Sequence, residues 1–450
     1  MNAAAHKGAL RFVALLGAAV ILAYGNALLW GQFQFDDYKV IVDNSDVHSW
    51  QAWQGNLAHG IRPLLKFTYT LDWTSGWGAA SFHLTNLLIH FANVLLVWAL
   101  SRRFAEAQPA LRAHAAAIAL FAALLFAVHP AHSEAVTYIC GRSAALMTMF
   151  YLAATCAFLA GRRTDNRTLL HLATPACFLL ALSVKETAAT FPLALLALEF
   201  CCGGHWRSAL RRQWSSWLLF AAGAAFFFSH ENYLREMEIS AGLNSLSGNF
   251  ATQALAIAYL LRQWLLPLWL NIDPDLPIQH DFSAVTAQLL LLASLIAMML
   301  MTFRRRPWIS FAIAWMLIQL LPLHLFLPRL DVANDRQMYL VGGPLALMLG
   351  AELALRLPRR TFVALAAALL FAAGGLTVAR NRDYYDEIAL WQATAKLSPD
   401  KARVRNNLGY AYHLAGRNAE ARSEYRRALA IDPAYFKARY NLARLDAEGL

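Results

Sequence analysis

Apolar residues in this chain come in long unbroken runs rather than in alternation. They fall at roughly 12–30, 84–100, 113–128, 143–160, 168–183, 188–202, 214–229, 251–271, 286–303, 309–327, 338–355 and 361–379. A helix of about 20 apolar residues crosses the hydrocarbon of a bilayer while satisfying its own backbone, so the pattern predicts an all-α polytopic membrane bundle. The connections between runs are short and basic: Arg102-Arg103, Arg162-Arg163, Arg207 with Arg211-Arg212, Arg304-Arg305-Arg306, and Arg356 with Arg359-Arg360. Such loops stay on the inner face, and Lys7 and Arg11 put the N-terminus there too. Reading forward from 207–212 places 230–250 outside, and reading back from 304–306 places 272–285 outside as well. The run at 251–271, interrupted by Arg262 and Pro267, must then begin and end on one face, as an interfacial or re-entrant element. About eleven spans remain, with the C-terminus outside. Two outer loops are large, 31–83 and 230–285, and the first carries Trp50, Trp53, Trp73 and Trp77, as suits an aromatic belt.

After Arg380 the chain turns polar and acquires a 34-residue period. Trp391 aligns with Tyr425, Leu397 with Ile431, Pro399 with Pro433, and Asn407-Leu408 with Asn441-Leu442. The unit from Asn407-Leu408-Gly409-Tyr410 through Gly416, Ala421, Tyr425 and Ala428 to Asp432-Pro433 resembles the tetratricopeptide (TPR) consensus. One complete repeat with partial flanks must bury its apolar face on a neighbour. The division expected is a membrane domain over 1–380 and a short TPR domain over 381–450.

Composition agrees. At 58% hydrophobic, 15% charged and mean hydropathy +0.40, the chain is too apolar for water. Its net charge of +11 reports topology, since the basic residues sit in the short loops, and no nucleic-acid partner is expected. Five cysteines make no disulfide framework. The first run is long for a cleaved signal, and no A-x-A site precedes the acidic pair after it, so an uncleaved helix is expected.

That acidic pair, Asp36-Asp37, is the main pointer to chemistry. It emerges where the first helix leaves the hydrocarbon, on the outer side. In an extended segment neighbouring side chains point to opposite faces, so one aspartate faces a site while the other orients the loop, or the pair merely caps a helix. Between the third and fourth runs stand His129-Pro130-Ala131-His132-Ser133-Glu134, then Gly141-Arg142. Ionisable groups crowded at a bilayer edge cost desolvation energy unless they pair or meet substrate. His129, His132 and Glu134 match no dedicated metal motif; a divalent metal has no specific support. Lys185-Glu186 is either a self-neutralising pair or a phosphate site. Arg62-Pro63 and Lys66 add positive charge in the first loop, while His83, Asn86 and His90 share a helical face. Arg329, Asp331, Asp335, Arg336 and Tyr339 form a last outer cluster, a salt-bridge set or part of a site.

Taken in order, Phe35-Asp36-Asp37, Arg62-Pro63-Leu64, His83-Leu84-x-Asn86 with His90, the His129–Val136 segment with Gly141-Arg142, Lys185-Glu186 and the terminal repeat resemble the transmembrane-and-TPR O-mannosyltransferases and their bacterial relatives. More distantly the chain is similar to the GT-C glycosyltransferases. The resemblance implies an inverting transfer from a polyprenyl-phosphate-linked sugar to a hydroxyl, protein Ser/Thr or glycan, on the extracytoplasmic face of a multi-pass protein, with a bacterial inner membrane as its setting. In that reading Asp36 is the first choice of base and Asp37 the second. Arg142, Lys185, Arg62 and Arg336 are the cations for the lipid phosphate, and His129, His132, Glu134, Glu186 and His83 line the site. The TPR would hold the acceptor. Two rivals are a TPR scaffold anchored by many spans, without catalysis, and a transporter, which would carry ionisable residues at midspan.

Overall fold

A computed structural model of the chain describes residues 3–57, 59–242, 245–321 and 332–448. Among these there is no strand. The helices in chain order are α1 (Ala3–Trp30), α2 (Trp50–Asn56), α3 (Pro63–Thr74), α4 (Ala79–Ala107), α5 (Ala115–Val128), α6 (Ser133–Val136), α7 (Arg142–Thr164), α8 (Thr174–Val184), α9 (Phe191–Cys201) and α10 (Trp206–Ser229). They continue with α11 (Glu231–Ala241), α12 (Leu246–Leu265), α13 (Thr286–Thr302), α14 (Pro307–Leu320), α15 (Tyr339–Arg356), α16 (Arg359–Asn381), α17 (Glu387–Leu397), α18 (Ala402–Leu414), α19 (Asn418–Ile431) and α20 (Phe436–Ala447).

Six segments among the described residues are long and apolar enough to span: Leu10–Trp30, Ala79–Ala107, Ile139–Thr164, Ser283–Thr302, Asp335–Arg356 and Arg359–Tyr384. A seventh arises if Arg112–Val128 and Pro130–Val136, bent by 56°, count as one. The other predicted spans correspond to shorter or more polar helices: the Leu169–Val184 segment, α9, α14 and the Arg-bearing α10. This is a multi-pass membrane protein. Leu22 and Phe371 stand 78% and 87% exposed on α1 and α16, a cost in water that lipid removes.

The interior is sewn by polar side chains that need partners in a medium without water. His90 meets the Tyr339 hydroxyl at 2.6 Å, Asn93 donates to the Ala145 carbonyl at 2.8 Å, and Asn381 donates to the Ala23 carbonyl at 2.8 Å. At the end where the basic loops lie, buried Glu199 accepts from Arg162 and Arg212, and Glu352 from Arg306 and Arg356. The predicted interfacial run is largely α12, whose start is met again by the returning chain. Thr252 exchanges hydrogen bonds with the Gln279 backbone and the Phe250 ring approaches Phe282. The segment after α12 therefore folds back along it.

The four helices after α16 form two antiparallel pairs around Trp391, Leu408, Tyr425 and Leu445. Gly409 is required there, because a Cβ would lie 2.8 Å from the Tyr425 ring. Asn441 reaches back to Asn406, close to the sequence period.

Candidate active site

The acidic pair sits in a tight turn rather than an extended segment. Phe35 takes the left-handed backbone conformation, φ 47°, and Asp36 and Asp37 begin a short helical turn. A non-glycine residue pays for that conformation, which only Phe35, Arg62 and Asp165 adopt among the described non-glycine residues. It sends the two carboxylates different ways. Asp37 is fully buried and accepts from the Gln34 and Cys140 N–H groups, both at 2.9 Å. Burial pushes its carboxyl up to about 7, against the pull of those N–H donors. Half-buried Asp36 lines a narrow cavity of about 20 Å³, and its N–H donates to the Tyr138 hydroxyl at 3.1 Å.

The same cavity is lined by Phe35, Glu134, Tyr138, Ile272, Asp273, Arg336, Trp391 and Arg403. Glu134, buried at the start of α6, accepts from the Arg336 N–H at 3.0 Å and pairs with its guanidinium at 3.4 Å. That contact ties the α5–α6 break to the turn entering α15. Gly141 enforces close packing here, since a Cβ would come within 1.9 Å of the Glu134 carbonyl oxygen. Arg62 stands nearby in a left-handed conformation before Pro63 and forms a bidentate pair with Glu186 at 2.8–3.2 Å. The Glu186 carboxylate raises the Arg62 pKa, and the Arg336 charge opposes it, so the two cations are close enough to feel one another. Lys185 caps the C-terminus of α8 beside Glu186.

Other expected site residues lie elsewhere. Arg142, expected at the phosphate, is fully buried. It pairs with Asp72 at 2.6 Å, donates to Asn86, Thr68 and Phe82, and lies over the Tyr69 and Phe82 rings at 4.9 and 5.3 Å. With its donors engaged by protein it is not exposed to a ligand. His129 and His132 also face inward. His129 contacts the Trp264 carbonyl at 3.0 Å and stacks on that indole, while His132 contacts the Phe126 carbonyl at 2.9 Å. Each ring thus serves a carbonyl near the end of a helix, α12 for His129 and α5 for His132. His83 is buried against Gly31, where a Cβ would strike its ring. Asp335 is buried with Arg380 at 3.9 Å; Arg329 and Asp331 lie outside the described residues. No group of three or more metal-binding side chains occurs among the described residues.

Tyr138, Asp273, Trp391 and Arg403 were not anticipated. The available signal for Asp273 is that it is one of three acids in the loop 272–285, read as outer, and for Trp391 its alignment with core Tyr425. The cavity thus combines a half-buried carboxylate just after the first apolar helix with the guanidiniums of Arg336 and Arg403. Such a set can take a proton from one group while stabilising a departing anion.

These features define a membrane-embedded helical protein with a polar cavity at one end and a short helical repeat beside it. Comparison with known proteins gives the particular likeness. The chain is 25% identical over 448 residues to a protein O-mannosyl-transferase of Caenorhabditis elegans, covering 90% of this chain and 61% of that protein. It is 31% identical over 169 residues to protein O-mannosyl-transferase TMTC3 of Mus musculus, covering 34% of this chain and 17% of that protein. With protein O-mannosyl-transferase TMTC4 of Homo sapiens it is 32% identical over 181 residues, or 36% and 24%. The chain therefore spans about three fifths of the nematode protein and a quarter or less of the two mammalian ones. These relatives are animal proteins, and they support the expected likeness without its bacterial part. No family model matches the chain, and no solved structure does.

Proposed function

We propose that this chain is an integral-membrane glycosyltransferase that moves a sugar from a polyprenyl-phosphate carrier to a Ser or Thr hydroxyl on the extracytoplasmic face. Mannose is the first sugar to try, because the relatives are named O-mannosyl-transferases. The observation that carries the reading is the shared cavity of Asp36 and Arg336 at the exit of the first helix. A lipid-anchored donor requires a site at that boundary, and an acceptor hydroxyl requires a base within reach.

In the proposed step the acceptor oxygen attacks the anomeric carbon from the face opposite the phosphate. Asp36 takes the hydroxyl proton, the carbon–oxygen bond to phosphate breaks, and the polyprenyl phosphate leaves with the electron pair, so the anomeric configuration inverts. Arg336 steadies the phosphate as its charge grows, with Arg62 behind it. Glu134 and Glu186 hold those two guanidiniums in place, and Asp37 holds the turn. Arg142 has no part in the chemistry; it fixes α3, α4 and α7 to one another. The repeat offers the surface on which a polypeptide acceptor docks.

The test is reconstitution of purified protein with synthetic polyprenyl-phosphate mannose and a Ser/Thr peptide, followed by mass and anomer analysis. Transfer with inversion that Asp36→Asn abolishes is the expected result. A chain that releases no sugar from this donor or its glucose and galactose analogues would instead support the scaffold reading.

A further inference from the structure

A repeat that only captures acceptor is expected to hang from a pliable linker. Here only Arg382–Tyr384, a tight turn, and two further residues separate α16 from α17. Tyr384 is buried, and Asp386 caps α17 by accepting the Ala389 N–H at 2.7 Å. The repeat then reaches the acidic turn from both sides. Gln34 donates to the Tyr384 carbonyl at 2.7 Å, the Phe35 ring meets Trp391 edge-on at 5.0 Å, and the Glu387 carboxylate lies close to the Phe35 N–H. Those contacts grip the two residues immediately before Asp36.

A second tie lies across the cavity. Asp273, 4% exposed, accepts from Lys401 at 2.7 Å and from Arg403 Nε at 2.8 Å and Nη2. Ser398 donates to the Asp273 carbonyl at 3.0 Å and accepts from Asn271 at 2.8 Å, and Lys401 also meets the Pro274 carbonyl. Moving the repeat away would break these charge-assisted hydrogen bonds together, which opposes a swing. We infer that the repeat is a fixed wall of the cavity, with Glu387 and Trp391 as positioning residues for Asp36 and the Asp273–Lys401–Arg403 cluster as the latch. The inference rests on the glycosyltransferase reading and deepens it: the acceptor reaches Asp36 through the mouth between the two walls, and even an acceptor too short to span the repeat needs the repeat for turnover.

The experiment compares a capped serine tripeptide with a 15-residue peptide as acceptors. In Trp391→Ala and Asp273→Asn, kcat falls by the same factor for both, about ten- to a hundredfold, the scale of a base displaced by about 1 Å. Trp391→Phe, which keeps an aromatic edge for Phe35, recovers most of the loss. If these variants raise only the KM for the long peptide and turn over the tripeptide normally, the repeat is a tether and the inference fails. The pair Asn271→Cys/Ser398→Cys gives an independent check. Its oxidised form, verified by mass spectrometry, is expected to retain half or more of the wild-type rate. Failure of the link to form, or activity that returns only on reduction, overturns the fixed wall. If the unaltered chain transfers to neither acceptor, the glycosyltransferase reading falls, and formation of the cross-link still decides whether the repeat is fixed.

Discussion

Arg142→Met replaces a buried guanidinium by an apolar chain of similar length and leaves Asp72 behind as a carboxylate 4% exposed. Its surviving neutral contact is the Thr85 hydroxyl at 2.7 Å. Removing one member of a buried pair costs about 3–5 kcal/mol, because the remaining charge is neither paired nor hydrated. The carbonyls of Thr68 and Phe82 and the Asn86 amide oxygen lose donors at 2.6–3.2 Å as well. Adding Asp72→Asn removes the stranded charge and is expected to restore half or more of the lost stability. The coupling between the two sites is then that recovered half, about 1.5–2.5 kcal/mol or more, plus the cost of Asp72→Asn alone, at or beyond the upper range for contacting residues. The assay is denaturant or thermal unfolding in detergent for wild type, both singles and the double, with donor titration on whatever folded fraction survives. Donor KM should be unchanged in that fraction. A stable Arg142→Met with a donor KM raised tenfold or more would return the phosphate to Arg142 and refute the structural assignment.

Asp36→Asn should keep the fold and lose about 10²–10⁴ in transfer rate, the scale for a lost general base, measured with the reconstituted donor. Arg336→Ala should raise donor KM about tenfold, from loss of a charge-assisted contact of about 1.5–3 kcal/mol, whereas Lys185→Ala should leave it near wild type in the same titration. The folded Asp37 carboxyl, lifted to about 7 by burial, holds its proton more tightly than the unfolded one at about 3.9. Its stabilising contribution is therefore complete below pH 4 and is lost as pH rises towards 7, and melting curves for Asp37→Asn should lack that slope.

The helical membrane architecture was legible because its signal is local: a span is one continuous run, and a basic loop marks its inner end. The 34-residue period was equally local. Pairing was not. Sequence marks Arg142 as a cation at a bilayer edge that must pair or meet substrate, but its partner Asp72 lies 70 positions earlier, in a segment with no feature that distinguishes it from Asp43 or Asp46. His129 and His132 looked like site residues because histidine at a membrane edge is expensive. In the structure each meets one backbone carbonyl near the end of a helix, a use of histidine that no spacing rule separates from ligation. The repeat's share of the cavity was hidden for a related reason. Trp391 resembled a core residue of the repeat, which it is, and one edge of the same ring also meets the acidic turn.

The difference between Asp36 and Asp37 shows where local reading ends and packing takes over. Two identical residues in succession carry no information about which faces the cavity, and an extended backbone would merely point them apart. What decides is the left-handed Phe35, a conformation unfavourable for any side chain with a Cβ and retained only where surrounding contacts over-determine it. Those contacts come from α17, through Trp391 and Glu387, from a part of the chain about 350 positions away. The turn that follows satisfies both Asp37 oxygens with N–H donors, at Gln34 and Cys140, and leaves Asp36 at the cavity. The orientation of the two carboxylates is thus set by α17 and by the α6–α7 connection together, the two elements that meet the turn after the first helix.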